Sequence, residues 1–425
     1  MTRHRCPATL ALVHTCAALL ALVSLCVTLW NGVHEGALAL AFGLLVAVGE
    51  LTRWSGPGVR EIAPLGAAGA LAYALLGESA GLPRTLALAG AEGTPVGVSQ
   101  VVTVVLAASL LGSVPHIAQG RSPTLDHLAR RVLTVGFAAV CFQPLSHSGT
   151  LAAWGGPAHA LLLLALLTLT VLCDTVLAAA LAHARTGWPF CPLLRDELRA
   201  TLGIGSAVCA TGAVMALAVD VAGLWALPVF SLPLLLTQLS LRRYAAVRAT
   251  YRQTIASLAR ATEIAGYTPA GHALRVASLS QAVGRDLGLT EPELTVLEYA
   301  ALMHDIGQLS LLDPVPAGAT AALPVEEQRR IALLGGAVVR QTGVDPQVAV
   351  VVERQADPCR EQPPAARIVR AVNAYEEKAR DAGPGGPLKA LEELRLGTAD
   401  DYAPEVVEAL ARVLSRGCLT LPGVG

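Results

Sequence analysis

Lysine is almost missing from this chain: 425 residues contain two, against 29 arginines. Charged residues reach only 15% and aromatics 4%, while apolar residues make up 53%. So little charge excludes a uniformly soluble chain. A net charge of −1 leaves no cationic excess for a polyanion, so no nucleic-acid partner is expected. There is no CxxC pair and no regular Cys/His metal spacing. Seven of the nine cysteines lie in or beside the apolar first half. Cys6, Cys16 and Cys26 stand ten apart, which does not keep them on one helix face, and they read as small apolar fillers. No histidine follows His304. That last absence limits what any metal site near the C-terminus can be.

The apolar residues are not spread evenly. Residues 8–240 are run after run of Ala, Leu, Val and Gly, and residues 241–425 carry an ordinary share of charge. A bilayer core needs about 20 mostly apolar residues in helix. Eight stretches qualify, near 8–30, 34–51, 61–78, 96–118, 125–145, 157–183, 200–219 and 223–241, with a range of six to eight because Gly and charge crowd the second and third. Arginine placement follows the same alternation. Arg3 and Arg5, Arg53 and Arg60, Arg121 with Arg130 and Arg131, Arg185 with Arg195 and Arg199, and Arg242 with Arg243 fall on one side. The connections near 31–34, 146–156 and 220–223 carry no Arg or Lys, and only Arg84 breaks the pattern. The expectation is an inner (cytoplasmic) membrane protein with both termini in the cytoplasm and the lipid bilayer as its first partner. The first stretch is too long for a signal peptide and lacks a small-residue cleavage site.

Asp174, in "LTLTVLCDTVLAAA", puts a carboxylate deep in the sixth stretch, with His159 and His183 near its ends. Such a group is costly in lipid and either functional or hydrogen-bonded to lock two helices together. Without repeated broken helices or paired intramembrane acids, a transporter fits less well than a sensory or anchoring bundle.

Residues 241–263, "LRRYAAVRATYRQTIASLARATE", contain no Gly or Pro. Tyr244, Val247, Tyr251, Ile255, Leu258 and Thr262 form a stripe with the arginines off it, which predicts an amphipathic helix. Two uses stay open: a parallel coiled coil joining a homodimer, or a spacer packed on its own domain.

From 266 onward the pattern is all helical. A helix starting at Pro269 carries His272, Val276, Leu279, Val283 and Leu287 on one face and ends at Gly288. Thr290 caps the next, with Leu294, Leu297 and Ala301 inward. His304 and Asp305 follow three and four residues later on the same face. Two imidazoles and a carboxylate converging from neighbouring helices are a metal-ligand set, because packing alone seldom turns three polar groups inward.

The segment "GYTPAGHALRVASLSQAVGRDLGLTEPELTVLEYAALMHDIGQLSLLD", with "HALRV" at 272–276, "LGL" at 287–289 and "HDIG" at 304–307, resembles the start of an HD-GYP domain of the HD metal-dependent phosphohydrolase superfamily. The resemblance extends loosely over about 262–417. It implies hydrolysis of cyclic di-GMP at a site of two or three metals, with His272, His304 and Asp305 as ligands and Asp305 as the catalytic carboxylate. Beyond them the family pattern fails. Gln308 stands for its lysine, Leu334 for its next histidine, and "VVE" at 351–353 for its His-His-Glu, leaving Glu353. The Gly-Tyr-Pro segment has no counterpart in "RQADPCREQPPA", and the late aspartate becomes Asn373. Asn373 offers a neutral oxygen only. Gln308 and Arg275 are the substrate-binding candidates.

Taken together, the expected architecture is all-α: a transmembrane helical bundle over 1–241, a connecting helix over 242–264 and an HD-GYP-like cytoplasmic domain over 265–425. The favoured function is a membrane-bound regulatory protein that binds a protein partner or a cyclic dinucleotide without turning it over. The alternative is a repurposed metal-dependent phosphohydrolase. At most one divalent ion (Mn, Fe or Mg) is expected.

Overall fold

In the computed structural model the described residues are 7–56, 59–76, 97–118, 125–148, 156–313, 315, 319–381, 385–398 and 400–416. Arg3, Arg5, Cys6, Arg84 and Arg121, and the side chains of Arg60 and His159, lie outside them. The described chain is helical apart from one short antiparallel hairpin, Trp54–Gly56 (β1) with Val59–Ile62 (β2). It divides into two compact units, one within Arg5–Ala246 and one within Val247–Gly425.

The first unit contains α1 (Pro7–Asn31), α2 (Gly36–Leu51), α3 (Pro64–Ala74), α4 (Val98–Ala118), α5 (Leu125–His147), α6 (Gly156–Thr186), α7 (Phe190–Ala200), α8 (Ser206–Ala222) and the first half of α9 (Ala226–Ile264). Five helical runs are long and apolar enough to cross a membrane: Ala8–Asn31, Val98–Ala118, Leu125–Ser146, Ala160–Thr186 and Ser206–Ile264. The last is broken at Gly223, whose φ of +64° ends α8 and lets α9 begin three residues later. Outward leucines such as Leu19 and Leu29 on α1 leave an apolar exterior suited to lipid.

The third expected span takes a different form. Residues 61–62 belong to the hairpin, and α3 is an 11-residue helix buried at nearly every position. At 1.5 Å per residue it is about half a bilayer core in length. It survives inside the unit because both ends are satisfied by side-chain amides. Gln238 Oε1 accepts from Leu65 N at 3.2 Å, and Gln143 Nε2 donates to the Ala74 carbonyl at 3.1 Å. A Cβ on Gly49 would sit 2.2 Å from Gly66 N, so glycine is what lets α2 and α3 touch backbone to backbone.

That contact delivers Glu50 into the interior. It is 1% exposed, with Arg131 Nη2 at 2.8 Å and His127 Nε2 at 3.1 Å. Asp174 pairs with Arg130 Nε on α5 at 2.9 Å. The carboxylate in the sixth stretch therefore ties α6 to α5 through an ion pair.

The second unit contains the end of α9, then α10 (His272–Asp286), α11 (Glu291–Met303), α12 (Val325–Arg340), α13 (Pro346–Arg354), α14 (Pro364–Asp381), α15 (Gly386–Leu396) and α16 (Pro404–Ser415). α10 packs on α11 and α14, and α12 on α13. From Tyr251 onward α9 packs on this unit. Ile255, Ala259 and Thr262 are buried, Tyr251 stands edge-on to Tyr299, and Arg252 pairs with Glu298. Tyr244 and Val247 of the expected stripe are exposed.

Candidate metal centre

The sequence places the three polar groups at helix boundaries. α10 begins at His272 itself, not at Pro269: Gly271, at φ +71°, precedes it as the left-handed entry. α11 starts from a capping box in which the Thr290 N–H donates to Glu293 at 2.7 Å. It ends at Met303, so His304 and Asp305 occupy the turn into a short 3₁₀ segment, Ile306–Ser310. Gly307 in that segment lies directly on α12, where a Cβ would be 2.0 Å from the Ile331 carbonyl oxygen and 2.7 Å from Gly335 N. Both neighbours are backbone and cannot rotate away. Gly307→Ala is expected to destabilise this unit by about 3 kcal/mol, read as a lower unfolding midpoint of the full chain. An unchanged midpoint would refute the close-approach account.

His272, His304 and Asp305 are all buried, and one potential ligand atom of each lies within 4.8 Å of the others. Asp305 Oδ2 is 3.4 Å from His272 Nε2 and 3.2 Å from His304 Nε2. His304 Nδ1 lies 2.8 Å from the Ala301 carbonyl. Donation there fixes the tautomer and leaves Nε2 with its lone pair facing the cluster. Gln355 Nε2 holds the His304 carbonyl at 2.8 Å. Among the described residues His272 Nε2, His304 Nε2 and Asp305 Oδ2 have no hydrogen-bond partner. Three converging, buried and unsatisfied donor atoms are costly without an ion and well served by one. The donor set could hold a single metal.

Asn373 on α14 lines a small cavity, about 50 Å³ in volume, with His304, Asp305, Thr320, Gln355 and Arg370, while His272 stands behind Asp305 and does not line it. The Asn373 amide nitrogen donates to Glu377 at 2.9 Å, and its Oδ1 is buried without a hydrogen-bond partner among the described residues. Glu377 was not singled out in the sequence. It is 3% exposed and also accepts from Thr320 Oγ1 at 3.2 Å and Ala321 N at 3.1 Å. The signal for it was present: Glu377 follows Asn373 by one helical turn, hence on the same face. Arg370 lies three residues before Asn373 and was overlooked for the same reason.

Charge in this region follows from the geometry. Burial alone would lower the His272 pKa, but the Asp305 and Glu376 carboxylates overcome it and push it up to about 9. Glu376 stands 3.9 Å from His272 Nδ1, a charge contact and not a hydrogen bond. Burial opposes ionisation of Asp305, yet the two histidines hold it well below the usual carboxylate range. Glu377 goes the other way, raised first by burial and then by the charge of Asp305.

The remaining candidates lie apart from this cavity. Gln308 is fully buried, and neither of its side-chain polar atoms is hydrogen-bonded among the described residues. Arg275 pairs with Glu376 and donates to the Ala270 carbonyl at 2.9 Å. Neither lines the 50 Å³ cavity. Glu353 is held by Arg340. Val351 and Val352 are packed in the core and line neither the cluster nor its cavity.

The family model for the HD domain matches residues 270–377. Residues 270–377 form an HD domain. The match begins two residues before His272 and ends at Glu377, so it takes in the whole cluster. No curated protein and no solved structure matches the chain. The HD domain follows a run of membrane-length apolar helices, and the chain is a membrane protein with an HD domain.

Proposed function

We propose that this is a regulatory protein of the cytoplasmic membrane whose degenerate HD domain holds one divalent ion and binds its ligand without turning it over. The observation that carries this reading is the set of buried ligand atoms on His272, His304, Asp305 and Asn373, enough for one ion. Among the described residues no other His, Cys, Asp and Glu cluster offers a second site. A cavity of about 50 Å³ has room for an ion and a few waters but not for a dinucleotide. Two imidazoles with one carboxylate favour Fe or Mn over Mg. When bound, such an ion supplies Lewis-acid polarisation of a phosphoryl oxygen or of water. The chain's own part is to fix the His304 tautomer through Ala301, to orient Asn373 through Glu377, and to keep Asp305 ionised between two histidines. In this reading residues 1–241 form the sensing bundle, 242–264 the coupling helix and 265–425 the HD-GYP-like output, with both termini cytoplasmic.

A second reading, a weakly active phosphodiesterase, is favoured by Arg370. It lines the cavity, and a guanidinium there can meet a phosphate where Gln308 cannot. The two are separated by loading the purified full chain with Mn or Fe, measuring ion content, and assaying cyclic dinucleotides and simple phosphodiesters. One ion per chain and no turnover is the expected result. Turnover that disappears in Asp305→Ala would replace the regulatory reading with the enzymatic one.

Ion binding should also depend on pH. A metal needs neutral His272, which holds a proton until about pH 9 in the ion-free protein. Affinity is therefore expected to rise by about tenfold per pH unit between about pH 7 and about 9, then level off. A titration with flat affinity over that window would show that no proton leaves His272.

A further inference from the structure

A second cavity lies in the first unit, within the helical bundle. It measures about 320 Å³, and its wall comes from α3, α5, α6 and the start of α8. Most of the wall is apolar, including Leu71, Val135, Val171 and Val208. Two guanidiniums enter it. Arg130 is tied on one side to Asp174, and Arg131 Nη2 is held by Glu50. Arg131 Nε is buried and has no acceptor among the described residues. The hydroxyls of Thr170 and Thr201 donate to their own helices, at 2.8 Å to Leu166 O and 2.8 Å to Glu197 O. Arg130 and Arg131 both line the cavity and keep 21% and 13% of their side chains accessible, so the polar side of the cavity is rich in N–H donors. Between α7 and α8 the wall is a single π-helical turn, Thr201–Gly205, and such turns are often found at functional sites because they cost backbone order.

We propose that this cavity is a binding site for a small apolar molecule carrying an oxygen-acceptor head group, a carboxylate or a carbonyl. The apolar body fills the space between α3, α6 and α8, and the head group accepts from Arg130 and Arg131. The two arginine charges are offset by Asp174 and Glu50, so the site suits a neutral carbonyl, and a carboxylate enters by displacing one of those two acids from its arginine or by bringing its own proton. This inference concerns the first unit only and does not depend on the reading of the HD domain.

Cys209 lines the cavity and provides the readout. The full chain in detergent is treated with a small maleimide, and alkylation is followed peptide by peptide in the presence of decanoate, 2-undecanone or undecane. Exposed Cys16 and Cys26 on α1 are the internal controls. Decanoate, 2-undecanone or both are expected to slow alkylation of Cys209 by about tenfold at ~10 Kd, leaving Cys16 and Cys26 unchanged. Protection by decanoate alone assigns an anionic head group, and by 2-undecanone alone a neutral one. Val171→Trp, which fills the space, and the double variant Arg130→Leu with Asp174→Leu, which removes the pair as a unit, should each abolish the effect. The proposal is overturned if neither probe protects, if undecane protects equally well, or if Val171→Trp is protected like the parent.

Discussion

Asp305→Ala is expected to abolish ion binding by the HD domain. Asp305 supplies the only anionic donor atom in the cluster, at 3.4 Å and 3.2 Å from the two imidazoles. Without it, two histidines and a neutral amide oxygen remain, and a dication in a buried site loses its one coordinating charge. Loss of a partner that merely orients a ligand already costs about 10–100-fold in affinity, so loss of the ligand itself should cost more than that. Ion content of the purified full chain, before and after loading, checks the result. Asp305→Asn keeps the shape and removes the charge, and should also fail to load. Retention of an ion by both variants would mean that the ion sits elsewhere. Glu377→Gln is the informative contrast. Glu377 contacts Asn373 and Thr320, so its substitution should weaken binding without abolishing it.

What could be read from the sequence depended on whether one period answered the question. His272, His304 and Asp305 could be placed on inward faces because each lies three or four residues from an apolar position of α10 or α11, although His304 and Asp305 stand just past the end of α11. The third helix of the site, α14, was harder. Asn373 came from the family pattern, while Glu377 and Arg370 needed only the same helical spacing applied from Asn373. Thr320 could not be read at all, because it sits in a 3₁₀ turn after a loop-like stretch with no period. Among the apolar helices the limit is different. A membrane-crossing helix and a short helix buried on all sides have the same composition. α3 therefore read as a span, and the amides that satisfy its ends, Gln143 and Gln238, lie 69 and 173 residues from their partners. Glu50 was overlooked for the same reason. It stands at the end of an apolar run, where a carboxylate reads as a boundary, and only the contact between Gly49 and Gly66 shows that it points inward.

Glu50→Ala should then be among the most damaging substitutions in the first unit. The Glu50 side chain is 2% exposed and faces Arg131 and His127, themselves 13% and 6% exposed. Removing one partner of a buried ion pair leaves the other charge without compensation, at a cost of about 3–5 kcal/mol. For a unit of this size that corresponds to a fall of about 10 °C in Tm, measured on the full chain in detergent. The cost arises from the orphaned arginine and not from lost attraction alone, and that distinction can be tested. Replacing Glu50, His127 and Arg131 together by leucine removes every charge of the trio, and buried pairs exchanged for apolar side chains of similar volume are often close to neutral. The triple variant should therefore be far more stable than Glu50→Ala. If instead the triple variant is the less stable of the two, the trio contributes net attraction, and α2 and α5 are held together by charge more than by packing. An unchanged Tm in Glu50→Ala would show that water reaches Arg131 and that the pair is not buried.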